Sequence, residues 1–192
     1  RRGVVGRPLD GVEEVIIDPV SGERLGTNCD GEIRIRGGNV MAGYFKDPDA
    51  TAAAFDDDGF FRTGDMGRLS DDGFLSITGR IKEMLIIGGE NVFPREIEDV
   101  VRKHPAVLDA AVIGVPDPMR GEVPLAFVEL IEDTQADPAE IRQFCRGPLS
   151  GFKVPREVRI VEALPRNPTG KIQRRVLSAE TPAKEESSHV EP

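Results

Sequence analysis

The stretch GRIKEMLIIGGENVFPREIE, Gly79–Glu98, changes its period twice in a short span. Its first half, Glu83 to Pro94, reads as a strand-like apolar run, a glycine turn and a second short strand. The run PREIEDVVRKHP, 94–105, then takes up helical spacing, with Ile97, Val100, Val101 and His104 on one stripe that only a sheet could cover. Pro94 suits the first helical position. Glu96, Glu98 and Asp99 load the positive end of this helix, and Arg102 and Lys103 lie at its negative end.

The covering sheet is supplied downstream. VLDAAVIGV, 107–115, and LAFVELI, 125–131, read as strands around the loop PDPMRGE, 116–122. A second helix starts at Asp137, where Asp137, Pro138 and Glu140 make a capping-box pattern and Ile141, Phe144 and Cys145 form the buried stripe. REVRIVEAL, 156–164, gives another strand, and RNPTGKIQRR, 166–175, is a turn that delivers Lys171. Upstream the texture is different. VEEVIID, GEIRIRG, GFFRTGD and GFLSITG are short β-type runs, and the turn signals DDDG, 56–59, and SDDG, 70–73, make them an antiparallel meander. Between them KDPDATAAAF, 46–55, reads as a helix capped by Asp49. The predicted fold is α+β, a β-rich segment to Gly79 followed by an α/β segment to about Leu177. The remainder, TPAKEESSHVEP, reads as a disordered polar tail.

Composition narrows the partners. With 34 acidic against 25 basic residues and a formal charge of −9 over 192 residues, the chain repels a nucleic-acid backbone and an anionic membrane surface. Cys29 and Cys145 fit neither a metal spacing nor a disulfide framework, so a reducing, cytoplasmic setting is expected. No window is apolar enough to cross a bilayer, and nothing resembles a signal peptide. The first residue is Arg1 and strand begins almost at once, so the chain is expected to belong to something longer.

Familiar sites fail on spacing. A phosphate loop would need glycine and serine or threonine where Pro165 and Ile172 stand around Gly170 and Lys171. IIGGEN turns into a short strand and offers no dinucleotide fingerprint. His104 and His189 are too few and too far apart for a metal site or a triad. Taken singly, Asp65 reads as a turn residue and Lys171 as a solvated lysine.

Four motifs in order change this reading: GEIRIRGGNVMAGYF, FRTGD, GRIKEMLIIGGENVFPREIE and PRNPTGKIQR. Together they resemble the carboxyl-terminal part of the adenylate-forming superfamily of acyl-CoA synthetases, peptide-synthetase adenylation domains and luciferases. The resemblance implies that 1–79 is the β-rich last subdomain of a large adenylation domain. It further implies a hinge at 80–83, a small mobile lid domain at 84–178 and a polar tail at 179–192. It implies an ATP-dependent acid–thiol ligase, which joins a carboxylic acid to ATP as an acyl-adenylate and passes the acyl group to CoA. A fatty acid is the favoured substrate and an aryl acid the next. A carrier protein as acceptor, and a non-catalytic binding or regulatory module of the same fold, stand as alternatives.

The same resemblance assigns roles by residue. Asp65 accepts hydrogen bonds from the ribose hydroxyls of the adenylate, and Arg80 reaches the ribose or the phosphate. Lys82 holds the hinge position, where many relatives carry aspartate. Gly88, Gly89 and Glu90 line the path of the CoA pantetheine, and Lys171 is the catalytic lysine of adenylation, presented by Asn167, Pro168 and Gly170. A hairpin alone would need only one of the two glycines. The ligands of Mg²⁺ and the acyl pocket are expected upstream, so the chain acting alone is expected to be inert.

Overall fold

The computed structural model describes residues 4–181. The chain divides into two compact units, with the boundary between Lys82 and Glu83. The first unit is a four-stranded antiparallel meander of β1 (Val12–Ile17), β2 (Gly31–Gly37), β3 (Phe61–Leu69) and β4 (Leu75–Arg80), in chain order across the sheet. Alternation places Ile16, Ile33 and Leu75 on one face and Val15, Ile17 and Phe60 on the other. Helix α1 (Pro48–Ala54) lies between β2 and β3 in sequence. Its cap is Asp47 rather than the expected Asp49, because Pro48 takes the first helical position and the Asp47 carboxylate accepts the Ala50 N–H at 2.9 Å.

The second unit is built on a five-stranded sheet. A 3-10 turn at Ile81–Glu83 leads to β5 (Leu85–Ile87) and β6 (Glu90–Val92), then α2 (Pro94–Val101). The long strands β7 (Val107–Asp117) and β8 (Gly121–Leu130) form a hairpin, so the expected seven-residue loop shrinks to Pro118–Arg120. After α3 (Pro138–Cys145), β9 (Glu157–Val161) pairs parallel with β8 and α4 (Arg174–Ala179) closes the unit. Strand β8 is central. One of its edges carries β7, and the other is shared between β5, at Gly121, and β9, from Leu125 to Glu129.

Two cores cover the two faces of this sheet. Ile97 and Val101 of α2 and Ile141 and Cys145 of α3 pack on Val112 and Val128, while Leu164 and Leu177 pack on Ala111, Ile113 and Phe127 from the opposite face. The stripe read from the sequence of α2 is buried throughout, including His104. Two helical expectations change. Phe144 remains 37% exposed and sets its ring edge-on to His104, and Glu140 returns no bond to complete the capping box, so Asp137 caps α3 alone through the Ala139 N–H. Glu98 is not an exposed partner of the helix dipole. Its side chain is 4% exposed and accepts the Val112 N–H at 2.8 Å, on the outer edge of β7. Ala179 ends α4 and the Thr181 hydroxyl donates to Leu177 O, whereas the rest of the expected tail lies outside the described residues.

Candidate functional site

In the first unit, β3 and β4 place Asp65 opposite Arg80 in register. The Arg80 Nε lies 2.9 Å from Asp65 Oδ1, with the aspartate side chain 25% exposed and the arginine 48%. Thr63 sets the approach: its hydroxyl donates to Ile33 O and accepts the Asp65 N–H. A carboxylate so held can accept both hydroxyls of a vicinal diol, and the guanidinium beside it keeps donors for an anionic group. Lys82 is exposed in the turn at the unit boundary and has no partner among the described residues.

In the second unit, the Lys171 turn is organised by one amide. The Asn167 side-chain oxygen accepts the Thr169 N–H, the Thr169 hydroxyl and the Lys171 N–H, the last at 2.8 Å. The Asn167 N–H donates to Lys171 O, and Arg166 and Ile172 form a bridge that closes the loop. The backbone is thus fixed on both sides of Lys171. Its side chain is exposed and its ammonium has no carboxylate partner among the described residues.

Arg166 and Arg174 hold the two ends of this loop. Arg166 donates to Asp109 Oδ2 at 2.5 Å and to Gly170 O. Burial works to raise the Asp109 carboxyl, but Arg166, the Ala110 N–H and Arg102 together hold it below the usual carboxylate range. Arg174, at the start of α4, reaches both oxygens of Glu98 at 2.8 and 2.9 Å and lies 3.2 Å from Glu83.

Gly88 and Gly89 form the two-residue turn between β5 and β6, with φ of 61° and 88°. Both conformations are left-handed, as a type I′ hairpin demands, so the turn geometry favours glycine at both positions, although asparagine could serve at the first of them. A Cβ at either position would meet nothing within 4 Å, so close approach within this structure is not what selects them. Glu90 follows on the exposed side of β6 with no partner among the described residues. The Gly88 N–H donates to Arg120 O, which joins the turn to the β7–β8 loop.

That loop opens onto a recess of about 610 Å³ lined by Arg120, Arg142, Arg146, Arg156 and Phe152. Arg156 is paired with Asp117, and Arg142 donates to Pro155 O, but among the described residues Arg120 and Arg146 have no carboxylate partner. The sequence reading missed this recess, and it missed Glu98 and Arg174 as a pair. Its signal was present in the Arg142 and Arg146 spacing on α3 followed by FKVPR, 152–156. Among the described residues no three His, Cys, Asp or Glu side chains gather as a metal site.

Residues 96–171 match the family model described as "AMP-binding enzyme C-terminal domain". The chain matches the carboxyl-terminal portion of adenylate-forming enzymes. A putative acyl-CoA synthetase of Bacillus subtilis is 42% identical over 176 residues, covering 92% of this chain and 32% of that protein. A sulfoacetate–CoA ligase of Cupriavidus necator is 49% identical over 144 residues, covering 75% and 28%. The crystal structure of ATP-bound MatB from Rhodopseudomonas palustris superposes with a TM-score of 0.88 at 40% identity, over 93% of this chain and 35% of that one. The chain therefore spans about a third of the length of the relatives it matches. No helix among the described residues is long and apolar enough to cross a membrane.

Proposed function

We propose that these residues serve an ATP-dependent carboxylic acid–CoA ligase as a lid and part of a nucleotide site. In the first half-reaction the acid carboxylate attacks the α-phosphorus of ATP, giving acyl-adenylate and pyrophosphate. In the second, the CoA thiol displaces AMP and the thioester forms. The observation that carries the reading is the Asn167-organised turn, which fixes the backbone of Lys171 and leaves its ammonium without a carboxylate partner among the described residues. Such an ammonium stabilises the charge that gathers on the phosphoryl oxygens during adenylation. Asp65 and Arg80 take the ribose and phosphate side of the nucleotide, and Lys82 is the pivot between the units.

The acceptor is read from the second unit. The exposed turn Gly88–Glu90 adjoins the Arg120 loop, and the arginine recess beside it offers cations for phosphates and the Phe152 ring for a base. A thiol carried on a phosphorylated nucleotide fits that pairing better than a bare thiol does. No residue of either unit is assigned to the acyl group. The fatty-acid expectation rests on the resemblance alone, and a panel of fatty, aryl and small polar acids is the measurement that ranks it. Reduced Cys29 and Cys145, both free, suit a cytoplasmic setting.

Lys171→Ala in the full-length enzyme tests the reading. Acid-dependent pyrophosphate exchange is expected to fall by about 100- to 1000-fold, ~3–4 kcal/mol of barrier, while CoA ester formation from supplied acyl-adenylate stays within a few-fold of normal. Equal losses in the two half-reactions would overturn the assignment.

A further inference from the structure

Arg174 stands three residues beyond Lys171, and its guanidinium joins two carboxylates from distant parts of the chain. Glu98 belongs to α2 and is nearly inaccessible to solvent, whereas Glu83 closes the turn at which the second unit begins and is 32% exposed. The Arg174 Nε is buried and has no hydrogen-bond partner among the described residues. A cluster arranged only for stability would satisfy that donor, since buried polar groups without partners are costly. The buried half of the cluster, Arg174 with Glu98, is rigid, because Glu98 is also held by the Val112 N–H. The exposed half, Arg174 with Glu83, is the half that water can compete for.

We propose that Arg174 is a positioning residue that ties the Lys171 loop to the chain at the unit boundary through Glu83. Glu98 anchors the guanidinium. Glu83 reports the backbone conformation at residues 81–83 to it, and the start of α4 passes that position to Lys171. The ammonium therefore takes its adenylation position only when the boundary turn places Glu83 against Arg174. The proposal rests on the Lys171 reading above and adds to it a route by which the state of the boundary reaches the lysine. A guanidinium is needed because a single ammonium cannot hold two carboxylates at once in fixed geometry.

The test uses the full-length enzyme and separates the half-reactions. Glu83→Gln removes the exposed ion pair and leaves Glu98 paired. Arg174→Lys keeps a cation for Glu98, so that this carboxylate is not buried unpaired, but gives up the bridge. Each variant is expected to lower kcat for adenylation by about 10-fold, the scale of a small misplacement of a catalytic group, with KM for ATP within about 2-fold. Thioester formation from supplied acyl-adenylate and the melting temperature are expected to move little. The double variant is expected to be no worse than either single one, since both break the same connection. Unchanged adenylation in Glu83→Gln, equal losses in both half-reactions, or additive losses in the double variant would each overturn the proposal. Lys171→Ala measured alongside keeps the two readings apart. If it abolishes adenylation while Glu83→Gln does not, only the coupling fails; if it has no effect on adenylation, the Lys171 reading fails and the coupling with it.

Discussion

Asp65 shows how one side chain can look ordinary in sequence and specific in space. FRTGD allows a turn residue, yet the register of β3 and β4 sets its carboxylate against Arg80 Nε at 2.9 Å. Asp65→Asn keeps the shape, removes the charge and replaces one acceptor with a donor. Charge-assisted hydrogen bonds are about twice as strong as neutral ones, so ATP affinity is expected to weaken by roughly 10-fold, read by calorimetric titration. Unchanged affinity would return Asp65 to a structural role. The turn around Lys171 was legible because its motif is local: asparagine, proline and glycine around a lysine describe a turn by themselves. Glu98 and Arg174 were not legible, because 76 residues separate them and each looks like a helix-surface charge until the fold closes.

Among the elements, the β5–β6 hairpin shows what selects its glycines. Two left-handed φ values, and not a crowded neighbour, favour glycine at 88 and 89. A β-branched residue at Gly88 is therefore expected to cost stability, of the order of 1–2 kcal/mol, and would confuse any test of what lies against the turn. Asparagine tolerates that conformation and is favoured in this position of type I′ turns. Gly88→Asn is expected to melt within a few degrees of the parent, to leave pyrophosphate exchange within a few-fold, and to depress CoA ester formation by about 10-fold, ~1.4 kcal/mol. A well-folded variant with normal ester formation would remove the turn from the CoA path. The helix caps divide in the same way. Asp137 was readable from Asp-Pro-x-Glu and does cap α3, so Asp137→Ala is expected to lower stability by ~1 kcal/mol in a urea titration. Asp47 was passed over for Asp49 because the sequence offered two aspartates flanking Pro48, and only the fixed φ of that proline places the helix start.

For the molecule as a whole, charge and burial set its response to solvent. The carboxyl of Asp109 is held down by Arg166, the Ala110 N–H and Arg102 against the opposing effect of burial. In Asp56 burial again pushes upward, and the Phe60 N–H and Arg34 prevail. A carboxyl that titrates lower when folded contributes its full stability above the unfolded value of ~3.9 and loses it as pH falls through the folded value. Acid is therefore expected to unfold the chain progressively below about pH 4, and Asp109→Asn is expected to be less stable at pH 7 yet to show a shallower decline, as urea titrations at pH 7 and pH 3 would measure. A steeper decline in that variant would contradict the pairing.

The overall architecture was the most readable level. Alternation in four short runs predicted the meander, and the change of period after Gly79 falls close to the boundary at Lys82. What remained hidden was whatever depends on distant strands meeting: the sharing of one β8 edge between β5 and β9, and the arginine recess beside it. Periodicity records which face a side chain takes, and says nothing of which strand lies next door.

Strand β7 ends the five-stranded sheet with one long side paired to no other described strand, and its middle, Ala110 to Ile113, is wholly apolar. Such a margin would recruit the same margin of another copy and grow by strand addition. Glu98 occupies its Val112 N–H and Arg102 reaches its Ala110 carbonyl, while Asp109 holds Arg166 beside it. The charges that frame the Lys171 loop therefore also occupy the polar groups of this sheet margin, so the turn and the edge strand are held by the same side chains.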